Sequence, residues 1–260
     1  MFGNNFSYLS NLRPAYCNCF AHHCHCSGRV RTPIHQHSKP NPNQFKPEFY
    51  EDNVLDDNST VLTSNKFKIV VILDESGSME NIRDSMLKSL NDLIKEQKQV
   101  KERPASFTLV KFSDKVKRVR EIEPLETTNL LEPRDYEPSG STALYDAIGS
   151  TINRFRNEKD VLLVIITDGQ ENASRKYNKS YVNEKIEHMK NKNGWTYVYL
   201  SCDLSTSQQG KNIGCTNSSY SSNVVRDVNS YGEFVSNNLN SAIRNFRTNG
   251  LSVQQQINQM

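Results

Sequence analysis

Phe67-Lys-Ile-Val-Val-Ile-Leu-Asp74-Glu-Ser76-Gly-Ser78-Met79 is the stretch on which the fold turns. An unbroken apolar run, Ile69 to Leu73, ends at an aspartate. Runs of this length read as strands buried on both faces, the habit of parallel sheets covered by helices. Side chains just past the carboxyl end of such a strand face the crevice where α/β sheets bind ligands. Asp74, Ser76 and Ser78 therefore bring one carboxylate and two hydroxyl oxygens to one small volume. Hard oxygen donors of this kind suit Mg2+, Mn2+ or Ca2+.

Downstream of this stretch, strand and helix patterns alternate. Ile82, Met86, Leu90, Leu93 and Ile94 recur at helical spacing, which predicts an amphipathic helix over 79–99. Residues 106–112 form a strand, and Val116–Ile122 reads as an antiparallel edge strand after the short turn Ser113-Asp114. Leu144, Ala147, Ile148, Ile152 and Phe155 line one face of the next helix. A strand over 161–167 follows, then a helix marked by Val182, Ile186 and Met189. Trp195–Leu200 is a further strand, and Phe234, Leu239, Ile243 and Phe246 mark a closing helix. This order predicts an α/β fold: a doubly wound, mostly parallel sheet with helices on both faces and one antiparallel edge strand.

Two later segments add to the first. Ser139-Gly140-Ser141-Thr142-Ala143-Leu144-Tyr145-Asp146 is a glycine turn entering a helix, and it supplies the Thr142 hydroxyl. Val161-Leu-Leu-Val-Ile-Ile-Thr167-Asp168-Gly169 is a second apolar strand ending in a carboxylate. D-x-S-x-S, then G-x-T-A-L, then I-T-D-G, in this order, resembles a von Willebrand factor type A domain with its metal-ion-dependent adhesion site. The resemblance covers residues 66–247 and fills all five ligand positions: Asp74, Ser76, Ser78, Thr142 and Asp168. Glu171-Asn172-Ala173-Ser174, Gly194-Trp195-Thr-Tyr-Val-Tyr-Leu and Ile213-Gly214 are similar to short, stand-alone bacterial and phage-type members.

The resemblance implies that Ser76 and Ser78 coordinate the ion directly. Thr142 would bind directly or through water. Asp74 and Asp168 would act largely through water, or one of them directly. It also implies an open coordination position that a carboxylate on a partner protein fills. Taken one at a time, these residues have plainer readings: Asp74 as a strand-end turn residue, Ser78 and Thr142 as helix caps. The five together, each at a strand end or helix start, favour the metal site.

The expected function is divalent-cation-dependent binding of a protein that offers an exposed Asp or Glu. A metal-assisted hydrolase at the same site is the first alternative. Against it, residues 66–247 contain one histidine, His188, on the polar side of a helix, and neither phosphate-binding glycine motif occurs. The expectation is therefore a non-enzyme.

Residues 1–65 differ in composition. They hold five of the six histidines and five of the nine prolines, and no period persists there. Arg13, Arg29, Arg31, Lys39 and Lys46 precede the acidic cluster Glu48, Glu51, Asp52, Asp56 and Asp57. This segment reads as a disordered Cys/His-rich tail with an acidic linker. Cys17, Cys19, Cys24 and Cys26 interleave with His22, His23 and His25, soft or borderline donors suited to Zn2+. Their spacing is tighter than that of a structural zinc finger, so reduced thiols in a disordered segment are the competing reading. A scaffold whose tail is the working part is the second functional alternative. Phe49, Tyr50, Val54 and Leu55 read as a solvated linker, and Cys202 as a strand-end packing residue. Residues 248–260 read as a flexible tail.

The whole-chain properties narrow the class. A net charge of +3 gives no footprint for nucleic acid. No window reaches the roughly 18 apolar residues of a membrane span, and the first thirty residues lack the apolar core of a signal peptide. The cysteine spacing is not a disulfide framework. The expected location is the cytoplasm.

Overall fold

The computed structural model describes residues 66–201, 204–215, 232 and 234–257. The tail with Cys17, Cys19, Cys24 and Cys26, the segment around Phe49–Leu55, and Cys202 lie outside the described residues.

The sheet has five strands: β1 (Phe67–Asp74), β2 (Ala105–Phe112), β3 (Val116–Pro124), β4 (Val161–Thr167) and β5 (Thr196–Ser201). Their spatial order is β3-β2-β1-β4-β5. β1 pairs in parallel with β2 and β4, and β4 with β5. β3 runs antiparallel along β2 at the edge, with two register irregularities. All eight residues of β1 are buried, which is why its sequence does not alternate. Ile69 to Leu73 are each 0 % exposed, and burial of such side chains contributes about 1.5–3 kcal/mol apiece.

Alternate residues of the strands feed two separate cores. Phe67, Ile69, Val71 and Leu73 face α1 (Arg83–Gln99), together with Val235, Leu239, Ala242 and Ile243 near the carboxyl end. Val70 and Ile72 face α2 (Leu144–Phe155) and α3 (Lys179–Asn193). The layers are therefore helix, sheet, helix, as the alternating pattern requires. A further helix, α4 (Leu204–Asn212), follows β5.

Two elements differ from the sequence expectation. The helix expected over 79–99 begins with a 3-10 segment, Gly77–Ile82, and becomes α-helical only at Arg83. The tighter winding leaves Gly77 N–H to donate to Gly140 O at 3.1 Å. The closing helix starts as a π-helical segment, Phe234–Leu239, and continues as α5 (Asn240–Asn249), ending at Gly250 in the left-handed conformation. The fold then runs past the boundary expected at 247. A short helix, α6 (Val253–Ile257), buries Val253 in the first core.

α5 is fixed to α1 by a buried guanidinium. Arg247, 3 % exposed, donates to the carbonyls of Gln97 (2.5 Å), Val100 (2.9 Å) and Arg103 (2.9 Å). Gln97 O also accepts the C-cap amide of Val100 at 3.3 Å, and Val100 and Arg103 follow the helix, so one guanidinium ties the end of α1 to the turn after it. Among the described residues no helix is long and apolar enough to cross a membrane.

Candidate functional site

β1 and β4 are neighbours in the sheet but lead to opposite sides of it, so their carboxyl ends form the topological switch point. Their register places Leu73 beside Ile166. Asp74 and Thr167 therefore come level, and Thr167 Oγ1 donates to Asp74 Oδ2 at 2.6 Å. Asp74 Oδ1 accepts Ser76 N–H at 2.7 Å. The plain reading of Asp74 as a turn residue is thus present, and the carboxylate also faces the switch point.

The hydroxyls continue from there. Ser76 Oγ and Ser78 Oγ lie 3.2 Å apart, and Ser78 Oγ donates to Asp168 Oδ1 at 2.6 Å. Ser78 therefore does not cap a helix. Thr142 does not cap one either: the residue preceding α2 is Ala143, and it makes no side-chain cap bond. The Thr142 hydroxyl belongs to the same volume. A Cβ on Gly169 would stand 2.8 Å from Thr142 Oγ1 and 3.5 Å from Asp74 Oδ2. Gly169 is small because these two oxygens occupy that side of it. The structure thus gathers all five expected residues, Asp74, Ser76, Ser78, Thr142 and Asp168, at one end of the sheet.

The loops around this volume are fixed by their amides. Ser139 N–H donates to Glu75 O at 2.7 Å, Ser141 N–H to Asp114 Oδ1 at 2.9 Å, and Ala143 N–H to Ser113 O at 2.9 Å. Gly140 has φ +81°, a region that L side chains rarely adopt, and a Cβ there would meet Asp114 Oδ2 at 2.6 Å. Tyr136 OH donates to Asp74 O at 2.8 Å, beneath the site.

Asp74 is 0 % exposed. Burial pushes its carboxyl up to about 6, and the nearby Asp168 carboxylate adds to the rise, against the lowering hydrogen bonds from Thr167 and Ser76. A divalent cation reverses both upward causes, since it replaces lost hydration and offsets the second negative charge. The donors are two carboxylates and three hydroxyls, all hard oxygens, which fits Mg2+, Mn2+ or Ca2+. Among the described residues no three Cys, His, Asp or Glu side chains gather as a metal-ligand group. Hydroxyls have to complete any site here. His188 is exposed on α3, as its place on the polar side implied.

A pH dependence follows for the metal-free protein. Asp74 holds its proton to about 6 when folded, against 3.8 for the ordinary carboxyl. The folded state binds the extra proton, so this contribution is complete below about 3.8 and is lost as pH rises through about 6. Asp74→Asn removes the loss. Ser76 N–H still finds the amide oxygen, and Thr167 Oγ1 can turn its proton to Gly169 O, 3.1 Å away, and accept from the new NH2. In chelator, Asp74→Asn should be more stable than wild type by about 2–3 kcal/mol at pH 7.5, shrinking towards zero at pH 4. Urea denaturation at both pH values measures this, and parallel pH profiles for the two proteins would contradict it.

Sequence reasoning passed over several residues that hold the site. Asp114, Glu75 and Tyr136 anchor the loops, and Asp146, Glu171, Asn172 and Ser174 bind the segment after β4 to α2. A signal existed for some of them: Glu75 stands inside the D-x-S-x-S run, and Lys111 interrupts an apolar strand.

The family model of the von Willebrand factor type A domain matches residues 68–241. Among solved structures, proximal thread matrix protein 1 from the mussel byssus is similar at 14 % identity and a TM-score of 0.50, covering 66 % of this chain and 46 % of that one. The pilus adhesin SpaC from Lactobacillus rhamnosus GG is similar at 12 % identity and a TM-score of 0.52, covering 69 % and 30 %. The PilB minor pilin from Streptococcus sanguinis is similar at 13 % identity and a TM-score of 0.50, covering 69 % and 61 %. At these identities the likeness is one of fold. This chain spans less than two thirds of each of those proteins. No curated protein matches it.

Proposed function

This chain belongs to the von Willebrand factor type A domain family, and we propose that it works as a divalent-cation-dependent protein-binding module. The single observation that carries the reading is the convergence of Asp74, Ser76, Ser78, Thr142 and Asp168 at the switch point, the first three and Asp168 linked by hydrogen bonds of 2.6–3.2 Å and the Thr142 hydroxyl facing Gly169 beside Asp74. We assign the ion to these five residues and expect Mg2+, with Mn2+ and Ca2+ as substitutes. Only two of the five bring formal charge, so the ion stays electrophilic. An Asp or Glu on the partner protein completes its coordination.

Binding is favoured over catalysis because the one histidine among the described residues, His188, is exposed on α3 and is not among these oxygens. The functional unit is taken to start at residue 66 and, because Val253 packs into the first core, to extend past 247; the setting is taken as cytoplasmic. Cys215 is a buried free thiol, in keeping with reducing conditions.

Affinity capture from cell extract with the full chain tests the reading. Partners should be retained in Mg2+ and released by chelator, and Asp74→Ala should retain none. Capture that survives both chelator and Asp74→Ala would move the function to another face or to the tail.

A further inference from the structure

The amides at and just before the start of α2 have no local side-chain cap, yet three of them are satisfied from a distance. Thr142 N–H donates to Asn172 Oδ1 at 2.9 Å, Tyr145 N–H to Glu171 Oε2 at 2.9 Å, and Asp146 N–H to Ser174 Oγ at 3.0 Å. All three acceptors lie in the run that begins three residues after Asp168. The contacts are returned. Asn172 and Ala173 N–H donate to Thr142 O at 3.0 and 3.2 Å. Asp146 accepts Arg175 N–H at 2.9 Å on Oδ2, and Lys176 and Tyr177 N–H at 2.8 Å on Oδ1.

The loop continues down the helix. A Cβ on Gly149 would lie 2.5 Å from Tyr177 Cγ, so the tyrosine ring takes the place of a side chain there. Asn153 Nδ2 then donates to Tyr177 OH at 3.0 Å. Asp146, Gly149 and Asn153 share one face of α2 by their spacing. It is a different face from Leu144, Ala147, Ile148, Ile152 and Phe155, which serve the core. A glycine inside a helix costs about 1 kcal/mol against alanine, and here it makes room for the loop.

We propose that this reciprocal clasp sets the metal site, with Asp146 and Glu171 as positioning residues that hold Thr142 against Asp168. The inference rests on the metal reading above. Thr142 and Asp168 sit on different loops, and their spacing is what a small cation demands of its donors. The clasp joins the two loops on both sides: Thr142 through Asn172, and the segment after Asp168 through Glu171 and Asp146. An ion that draws Thr142 and Asp168 together tightens the clasp, and by linkage an intact clasp tightens the ion.

Isosteric amides separate this role from simple packing. Every group facing the Asp146 oxygens is a backbone N–H, so the NH2 of Asp146→Asn must meet a donor. Glu171 Oε1 accepts Ala173 and Ser174 N–H, and Oε2 accepts Tyr145 N–H and Ser174 Oγ, so Glu171→Gln meets the same conflict. The experiment titrates Mn2+ into the full chain by calorimetry, for wild type, both isosteres and Asp168→Ala, the last reporting any binding elsewhere. Amide hydrogen exchange in chelator and in saturating Mn2+ accompanies it.

Asp146→Asn and Glu171→Gln should weaken Mn2+ about tenfold or more while unfolding cooperatively. In wild type, Mn2+ should slow exchange of the Arg175, Lys176 and Tyr177 amides, which bond Asp146 and not the ion. If the isosteres do not fold, Gly149→Ala decides: it raises helix propensity and removes no polar group, yet should weaken Mn2+ severalfold by displacing Tyr177. Wild-type affinity in the folded variants, with binding lost in Asp168→Ala, overturns the clasp and leaves the metal site standing. Mn2+ protection that stops at residue 169 also overturns it. A wild type that binds no Mn2+ removes both.

Discussion

Asp168→Ala should lower Mn2+ affinity by on the order of 100-fold and leave the domain folded. Asp168 and Asp74 are the two formal charges among the five donors, and ligand charge count sets affinity at hard-cation sites. Asp168 is half-buried, and Ser78, which donates to it at 2.6 Å, is exposed. The Ser78 hydroxyl left behind can turn to water. The substitution opens no core cavity, because both cores are built from the strand and helix residues beneath. In chelator the melting temperature should stay at or above that of wild type, since removing one of two neighbouring carboxylates relieves repulsion on Asp74. Mn2+ titration and a thermal melt on the same sample measure both parts. Unchanged affinity would take Asp168 out of the ion's coordination. Lost affinity together with a collapsed melt would make its role structural.

The fold was legible because the sheet is covered on both faces. Ile69–Leu73 and Val161–Ile166 had to be continuous apolar runs, and no exposed face diluted the signal. The five site residues were legible for a related reason. Each sits where an element ends, so its position follows once the element is placed. What escaped are residues whose partners are distant in sequence and whose contacts have no period. Asp146 and Glu171 bind backbone amides that any residue could supply, so nothing about the partner positions marks them. Gly149 was the available clue, a small residue at a helix centre without an evident packing reason. Arg247 likewise resembles any surface arginine of a polar helix. Only the approach of α5 to α1 turns it into a cap for carbonyls about 150 positions away. The segment Gly77–Ile82 has helical spacing, and its 3-10 winding accompanies a tertiary contact with no period, Gly77 N–H to Gly140 O.

Lys111→Met should destabilise the metal-free domain by about 3–5 kcal/mol, the range for a buried ion pair with one partner removed. Lys111 interrupts the apolar run of β2, and the structure shows why it is tolerated. Its Nζ lies 2.5 Å from Glu75 Oε1 and donates to Asp135 O at 2.5 Å, with Lys111 8 % and Glu75 2 % exposed. Glu75 Oε1 also accepts Glu137 N–H at 3.0 Å. Its other oxygen makes no hydrogen bond and faces Lys117 Nζ at 3.7 Å, on a side chain that is mostly exposed. Methionine keeps the length of lysine and removes its charge. The Glu75 carboxylate is then left buried with one amide and a distant ammonium. The consequence reaches the site, because Glu75 stands between Asp74 and Ser76, and its carbonyl holds Ser139 N–H at 2.7 Å. Loop 133–139 hangs on this pair, and Gly140 and Thr142 follow that loop. Adding Glu75→Gln to Lys111→Met should restore stability to within about 2 kcal/mol of wild type, since the desolvation penalty leaves with the charge. Urea denaturation in chelator of the two single variants and the double completes the cycle. A single-variant cost below about 1 kcal/mol is what a solvent-screened surface pair gives, and it would show that the loop is held by its backbone contacts alone.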